Sequence, residues 1–184
     1  MKEKITTTYI DLDGVLINFT KGACRALNIE CPKNTIFDKK NGGEWIYEQA
    51  GGRSAFWKRV HGFNLWANLE PYPWSKELLK IIHKHTNSWA YLTKPSIDSG
   101  CWSGKYTCVN KHFNYGYGRL AIVEFDKSKI CHGPQDLLID DKAENCEKWR
   151  AAGGAAYHWV EVSDDWPQNL IDIRLKEVEN ILHD

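Results

Sequence analysis

The sequence has no excess of either charge, because 24 Lys and Arg residues balance 24 Asp and Glu residues over 184 positions. Without an overall basic field, a protein does not attract nucleic acid regardless of sequence, so stable nucleic-acid binding is not expected. The sequence also lacks a secretory apolar region at its start and any apolar run long enough to cross a bilayer. We therefore expect a cytoplasmic protein with no membrane partner.

The common metal and redox patterns of Cys and His are absent as well. The six cysteines form no C-x-x-C pair, which argues against a zinc ribbon or a thioredoxin-like redox site. The seven histidines form no H-x-x-x-H spacing. We expect reduced thiols, and a site built from other side chains.

Short apolar runs that end at polar residues are the main feature present. They predict strands at residues 5–11, 89–93, 120–125, 137–139 and 155–160. Helical patterns lie between and after them, at residues 75–85, 104–113, 143–152 and from Pro167 onward. Alternation of this kind predicts an α/β fold with a central parallel sheet, which binds ligands beyond the carboxyl ends of its strands.

Residues 18–73 interrupt the alternation with helix-like pieces rich in aromatic residues. We predict a small helical cap at 18–73, inserted after the first strand into a core domain made of 1–17 and 74–184. At near-helical spacing, Trp57, Phe63 and Trp66 are expected to pack inward as the core of the cap.

Two acidic pairs follow predicted strands. Asp11 and Asp13 come directly after the first strand, and Asp140 and Asp141 follow the run that ends at 139. Because the carboxyl ends of parallel strands meet at one edge, four carboxylates are expected to converge there, and their repulsion calls for a cation. Oxygen-rich sites of this type suit Mg²⁺.

Two other strand ends offer groups that a phosphate site requires. The hydroxyl of Thr93, with neighbouring amides and possible help from Lys94, could hold phosphate oxygens. Lys127 could offset the charge that builds up during phosphoryl transfer, with Lys129 as an alternative in the same loop.

In order and spacing, these motifs resemble those of the haloacid dehalogenase (HAD) superfamily of phosphatases. YIDLDGVLINF resembles the first motif, YLTKPS the second, FDKSK the third and LLIDDKAEN the fourth. Within the superfamily the sequence is most similar to the 5′(3′)-deoxyribonucleotidases and their bacterial and phage relatives, through EWIYEQAG, LEPYPWSKELL and GKYTCVNKHF.

The resemblance implies a Rossmann-like three-layer core, a helical cap, Mg²⁺ as cofactor and nucleoside monophosphates as substrates. By position, Phe19 and Trp45 match aromatic residues that hold the nucleoside base. The corresponding mechanism has Asp11 as nucleophile and Asp13 as general acid and base. The metal would be bound by Asp11, the backbone carbonyl of Asp13, and one or both of Asp140 and Asp141.

Two alternatives remain open at this point. The same chemistry could act on another small phosphomonoester or on a 3′-phosphate at the end of a nucleic acid, although the balanced charge argues against the latter. The chain could also be a binding protein on a phosphatase scaffold that has lost turnover. The complete set of catalytic residue types argues against that second reading.

Overall fold

The fold is centred on a sheet of five parallel strands, in a computed structural model that describes residues 3–37, 43–113 and 118–183. In chain order the strands are β1 (Thr7–Ile10), β2 (Ser88–Thr93), β3 (Leu120–Ile122), β4 (Asp136–Asp140) and β5 (Ala155–His158). Across the sheet they follow the order β3-β2-β1-β4-β5, so the first strand lies in the middle. The predicted α/β fold with a central parallel sheet is confirmed.

The helices cover both faces of this sheet. In chain order they are α1 (Phe19–Leu27), α2 (Trp45–Gln49), α3 (Arg53–Arg59), α4 (Phe63–Ala67), α5 (Ser75–His85), α6 (Ser99–Phe113), α7 (Ala143–Ala151) and α8 (Gln168–His183), with a 3₁₀ helix at Lys127–Ile130. Leu137 and Ile139 of β4 join the large hydrophobic cluster on one face, whereas Leu138 packs with Trp149 in a smaller cluster on the other. The alternation along β4 therefore separates the two outer layers.

Most predicted boundaries agree with the structure to within about two residues, but α6 begins at Ser99 rather than at residue 104, and the third strand is shorter than predicted. The helix predicted at 75–85 is α5, and the last helix begins directly after Pro167. The predicted strand 120–125 ends earlier, at Ile122, and the chain goes on to a 3₁₀ helix that begins where the Asp126 side chain accepts a hydrogen bond from the Ser128 amide.

Helices α1 to α4 lie between β1 and α5, within the segment predicted as a cap; its residues 38–42 lie outside the described part of the chain. The segment that leaves the sheet after β1 lies beside the segment that returns to it before α5. The Asn18 amide donates to the Glu70 carbonyl, and the Tyr72 amide donates to the Leu16 carbonyl. A second connection pairs Ile36 with Val162 after β5. The division into core and cap remains a prediction.

The burial expected for the aromatic residues of this segment holds only in part. Trp66 is 2% exposed and belongs to the large cluster, and Trp57 packs against that cluster from its edge. Phe63, at the start of α4, is 44% exposed, so its predicted inward packing is wrong.

Within the described ranges, no helix combines the length and apolar character that a membrane crossing requires.

Helix α6 approaches α4 closely because it presents glycine there. A Cβ atom added at Gly104 would overlap the Trp66 side chain and would lie 3.0 Å from the Phe63 carbonyl oxygen. One turn earlier, a Cβ at Gly100 would overlap the backbone of Phe63. Glycine at these two positions lets the two helix backbones come together, which brings Trp66 next to α6.

Gly104→Ala is expected to lower the free energy of unfolding by about 1–3 kcal/mol, because the methyl group forces α6 away from α4. This sign opposes helix propensity, which favours Ala over Gly by about 1 kcal/mol. Urea unfolding of both variants tests it, with Ser103→Ala on the exposed side of α6 as the control. Equal stabilisation of the two variants would contradict the proposed close contact.

Candidate active site

The loop after β1 sets the position of two acidic side chains. The Asp11 amide donates to the Ile139 carbonyl at 2.9 Å, so the ladder between β1 and β4 continues to this residue. Beyond it, the Leu12 carbonyl accepts from the amides of Leu16 and Ile17 in a tight loop. Asp11 thereby stays at the edge of the sheet, beside the end of β4.

Gly14 is required in this loop for two reasons. Its φ of +79° lies in the left-handed region that side chains disfavour. A Cβ atom at this position would also lie 2.8 Å from the Asp141 Cγ atom. Glycine therefore lets the loop after β1 and the loop after β4 touch, which brings their carboxylates together.

Three carboxylates meet at this edge. Asp11, Asp140 and Asp141 each offer an oxygen, and these atoms lie within 4.8 Å of one another. The Lys127 ammonium bonds to Asp11 at 2.8 Å and to Asp140 at 2.7 Å, with only 1% of its side chain exposed. Lys129 is exposed, so the ammonium that reaches the carboxylates is that of Lys127.

The pKa values of these groups reflect burial in competition with charge. Burial alone would raise the pKa of Asp11, but the Lys127 and Lys105 ammonium groups outweigh it and hold the pKa below its ordinary value. The pKa of Asp141 is raised well above its ordinary value by burial, and further by the negative charges of Asp11 and Asp140. Asp11 is therefore kept ionised beside an acid that resists ionisation.

The cluster fits a hard divalent cation. The oxygens of Asp140 already accept from Lys127, from the Lys142 amide and from the Asn145 side chain. By contrast, Asp141 Oδ1 is buried and has no hydrogen-bond partner in the described part of the chain. Three carboxylates at one edge, one of them with an oxygen that lacks a hydrogen-bond partner, are the kind of donor set that Mg²⁺ prefers.

The Asp13 carboxylate points to a different partner, the buried Lys105 of α6. The Lys105 ammonium donates to Asp13 Oδ2 at 2.6 Å, to Thr93 Oγ1 at 2.7 Å and to the Lys94 carbonyl at 2.7 Å. All three of its protons are therefore used. Asp13 Oδ1 is buried without a partner among the residues described.

Sequence reasoning missed Lys105, although the sequence contains a signal for it. Cys101, Gly104 and Cys108 follow helical spacing and mark a buried face of α6, and Lys105 lies on the same face. A lysine among small apolar residues needs acceptors there, since burying an unpaired ammonium is costly.

A cleft of about 1320 Å³ opens above these groups. Asp11, Asp13, Thr93, Lys94 and Lys127 line its floor together with Asp141, whereas Asp140 lies beneath, fully buried. The opposite wall is aromatic and consists of Phe19, Phe37, Tyr47, Phe56, Trp57 and Trp66.

The two aromatic residues predicted to bind a base differ in position. Phe19 lines the cleft and stacks on Trp66, with ring centroids 5.2 Å apart. Trp45 does not line the cleft and packs against the cluster formed by α1 and α3. Of the residues of α2, Ile46 and Tyr47 line the cleft.

Glu161, also missed, is a carboxylic acid at the side of the cleft. It follows β5, and one of its oxygens accepts from the hydroxyl groups of Thr20 at 2.8 Å and Tyr72 at 3.0 Å. Burial raises the pKa of Glu161 to about 7, despite these hydrogen bonds. Thr20 and Tyr72 lie close to the two points where the chain passes between the sheet and helices α1 to α4. The Glu161 side chain is therefore hydrogen-bonded to the chain at both of these points.

Comparison with known proteins gives a family and a fold. Residues 4–170 match the family model described as 5′ nucleotidase, deoxy (pyrimidine), cytosolic type C protein (NT5C). A protein of Vibrio phage KVP40 assigned as a 5′(3′)-deoxyribonucleotidase is 25% identical over 138 residues, which are 74% of this chain and 66% of that protein. The match thus spans just under two thirds of the phage protein.

Solved structures agree with the fold. A HAD-superfamily hydrolase from Ehrlichia chaffeensis superposes with a TM-score of 0.57 at 14% identity, over 100% of both chains. A haloacid dehalogenase-like hydrolase from Xanthomonas campestris gives 0.51 at 11% identity, over 97% of this chain and 99% of that one. These neighbours confirm the predicted Rossmann-like fold of HAD hydrolases.

Lys127→Met is expected to lower the free energy of unfolding by about 3–5 kcal/mol, because Asp11 and Asp140 lose the buried cation that compensates them. Denaturant titration measures the loss, with the exposed Lys129→Met as the control. Adding Asp140→Asn to Lys127→Met should recover part of the stability. A Lys127→Met protein as stable as the control would exclude this charge balance.

Asp141→Asn is expected to stabilise the metal-free protein at about pH 8, and the gain should fade as the pH drops. The folded-state pKa of Asp141 is raised above the unfolded value, so this group costs no stability below the unfolded pKa, and the cost grows as the pH rises from there through the folded pKa. Unfolding in a chelator at about pH 8 and about pH 4.5 tests the sign, and a gain independent of pH would contradict it.

Proposed function

Because the chain belongs to the family of 5′ nucleotidase, deoxy (pyrimidine), cytosolic type C proteins, we propose that it uses Mg²⁺ to remove phosphate from deoxyribonucleoside monophosphates. The observation that carries the proposal is the position of Asp11. This ionised carboxylate lies at the end of the central strand, between a buried ammonium and two further carboxylates, on the floor of a cleft with an aromatic wall.

Asp11 is the proposed nucleophile. One of its oxygens forms a bond to phosphorus while the bond from phosphorus to the leaving oxygen breaks, which gives an aspartyl-phosphate that water then hydrolyses. The lowered pKa of Asp11 supports this role, since only the carboxylate attacks. The Leu12 amide donates to Oδ1 at 2.7 Å and holds the group in place.

Asp13 is the proposed general acid and base. Lys105 binds its Oδ2 atom, whereas the buried Oδ1 atom has no partner within the described ranges, and Oδ1 is the atom proposed to meet the leaving oxygen. Asp13 donates a proton to that oxygen in the first step and accepts one from the attacking water in the second. Lys105 thus acts by orienting Asp13.

Thr93 and Lys94 are proposed to bind the phosphate oxygens. Because Lys105 donates to Thr93 Oγ1, the hydroxyl hydrogen is left to be donated to the phosphate. The exposed side chain of Lys94 adds positive charge at the cleft. Lys127 offsets charge on the side of Asp11 and Asp140.

The proposed ligands of Mg²⁺ are Asp11, the Asp13 carbonyl, Asp140 and Asp141. Among their carboxylates, Asp141 has an oxygen, Oδ1, with no hydrogen-bond partner within the described ranges. Bound there, Mg²⁺ would screen the negative nucleophile from the negative phosphate.

The aromatic wall is proposed to select nucleotides, with residues 18–73 acting as the cap that carries it. Phe19, Tyr47 and Trp57 line the cleft, and stacking of a base on an aromatic ring is worth about 1–3 kcal/mol. Phe19 and Tyr47 support this role better than Trp45, which does not line the cleft. A 3′-phosphate at a nucleic-acid end is a weaker candidate, because Glu144 and Glu147 make part of the rim acidic.

Phosphate release from dUMP, dTMP, a sugar phosphate and a 3′-phosphorylated oligonucleotide, with Mg²⁺ and with a chelator, tests this function. We expect kcat/KM for the nucleotides to exceed that for the sugar phosphate by about 10-fold or more, the ratio that 1.4 kcal/mol of stacking gives. Chelation should stop turnover, and Asp11→Asn should lower kcat by at least about 1000-fold. The matched control is Asp172→Asn on the exposed side of α8.

Nucleotides that are no better than the sugar phosphate would reject the nucleotidase assignment and leave a general phosphatase. A chain that binds nucleotide but shows no Mg²⁺-stimulated turnover on any of the four would be a binding protein instead.

A further inference from the structure

The indole of Trp66 contacts two different parts of the site. On one side it stacks on Phe19, at a centroid distance of 5.2 Å and an interplanar angle of 11°. On another side the Lys105 ammonium lies 5.5 Å from the centre of the ring. One ring therefore supports both the aromatic wall and the lysine that holds Asp13 and Thr93.

The orientation of this ring is fixed by Asp98, in the loop between β2 and α6. Trp66 Nε1 donates to Asp98 Oδ2 at 2.9 Å, and the Gly62 amide donates to the same oxygen at 2.6 Å. The other oxygen accepts from the Gly100 amide at 3.0 Å. Asp98 thus joins the start of α6 to α4 through three uncharged donors.

The position of Asp98 in the chain is as important as its bonds. It follows Thr93 by five residues, in the loop that supplies the proposed phosphate-binding groups. Through Trp66 it reaches α4, one of the helices between β1 and α5. Packing at Gly104 brings α6 close to the start of the Trp66 side chain, because a Cβ atom at Gly104 would overlap the Trp66 Cβ atom.

We propose that Asp98 and Trp66 are positioning residues that set the acid–base group and the nucleoside wall of this site together. Asp98 orients the indole by accepting its N–H hydrogen bond. The indole in turn stacks on the Phe19 ring and lies beside the Lys105 ammonium. Lys105 in turn aims Asp13 Oδ1 and the Thr93 hydroxyl. The inference rests on the proposed phosphatase function, and assigns to it two residues that touch no reacting atom.

Two substrates distinguish the effect of Trp66 on Lys105 from its effect on Phe19. A phosphomonoester without a base, such as deoxyribose 5-phosphate, reports only on the contact with Lys105, so its kcat should fall when the indole moves. A nucleotide such as dUMP reports on Phe19 as well, so its KM should also rise. Displacing catalytic groups by about 1 Å costs up to about 100-fold in rate, so we expect losses of about 10- to 100-fold in kcat.

The variants are chosen to spare the helices. Asp98→Ser keeps a side chain that caps the start of α6, but it is too short to reach Trp66. Trp66→Phe keeps an aromatic ring and removes the N–H donor. Trp102→Phe, on an exposed tryptophan of α6, is the control and should stay within about twofold of the parent.

The double variant gives the sharpest result. If the two residues act through one hydrogen bond, Asp98→Ser combined with Trp66→Phe should lose no more kcat than the worse single variant. Multiplicative losses, or parental kcat and KM on both substrates with only a lower melting temperature, would overturn the proposal and leave Asp98 as a helix cap.

A measurement independent of turnover separates this inference from the proposed function. In ¹⁵N-labelled full-length protein, the indole N–H resonance of Trp66, assigned with Trp66→Phe, should be protected from solvent exchange and should lose protection in Asp98→Ser. Lys105→Met should shift the same resonance. If it is unprotected in the parent, or does not respond to Lys105→Met, the inference fails even when the enzyme is active; if it behaves as expected in an inactive chain, only the proposed function fails.

Discussion

The pairing of the Lys127 ammonium with Asp11 and Asp140 is the interaction on which this site depends. Parallel strands β1 and β4 each end in a carboxylate at the same edge, and the hydrogen-bonded ladder keeps both there. Without a buried cation, that arrangement would be repulsive in a place where water cannot screen it. In the same way, the buried Lys105 ammonium pairs with the nearby Asp13 carboxylate, and it also donates to the Thr93 hydroxyl oxygen. Two buried lysines, Lys127 of the 3₁₀ helix and Lys105 of α6, thus compensate the carboxylates at this edge of the sheet.

The site divides its tasks between two kinds of structure. The sheet edge supplies charge, and the helices between β1 and α5 supply flat apolar surface. Both chain crossings are fastened from the core by Glu161, which accepts from Thr20 and Tyr72. The segment after α1 is fastened again, where the Phe37 amide donates to the Glu161 carbonyl. The distance between the charged floor and the aromatic wall is therefore defined by several bonds rather than by a single hinge.

The sequence predicts the sheet and the strand-end residues well, because both depend on local patterns. Apolar runs marked the strands, and Asp11 and Thr93 were found because each lies where such a run stops. Lys105 and Glu161 were not found, since their roles depend on partners 92 and 89 residues away in the chain. The direction of an aromatic side chain on a short helix is equally hard to predict. Trp45 and Tyr47 both pack against the cluster that includes Ile46, but of the two only Tyr47 lines the cleft.

Placing the first strand at the centre of the sheet also affects how the chain matures on the ribosome. Strand β1 emerges first, yet one of its two neighbours, β4, ends at Asp140, more than a hundred residues later. Until then the nascent chain carries a half-paired central strand whose edge is open to other chains, a state that favours aggregation. Strand β1, which precedes the proposed nucleophile, is thus synthesised before β2 and β4 and stays incompletely paired until β4 has been made.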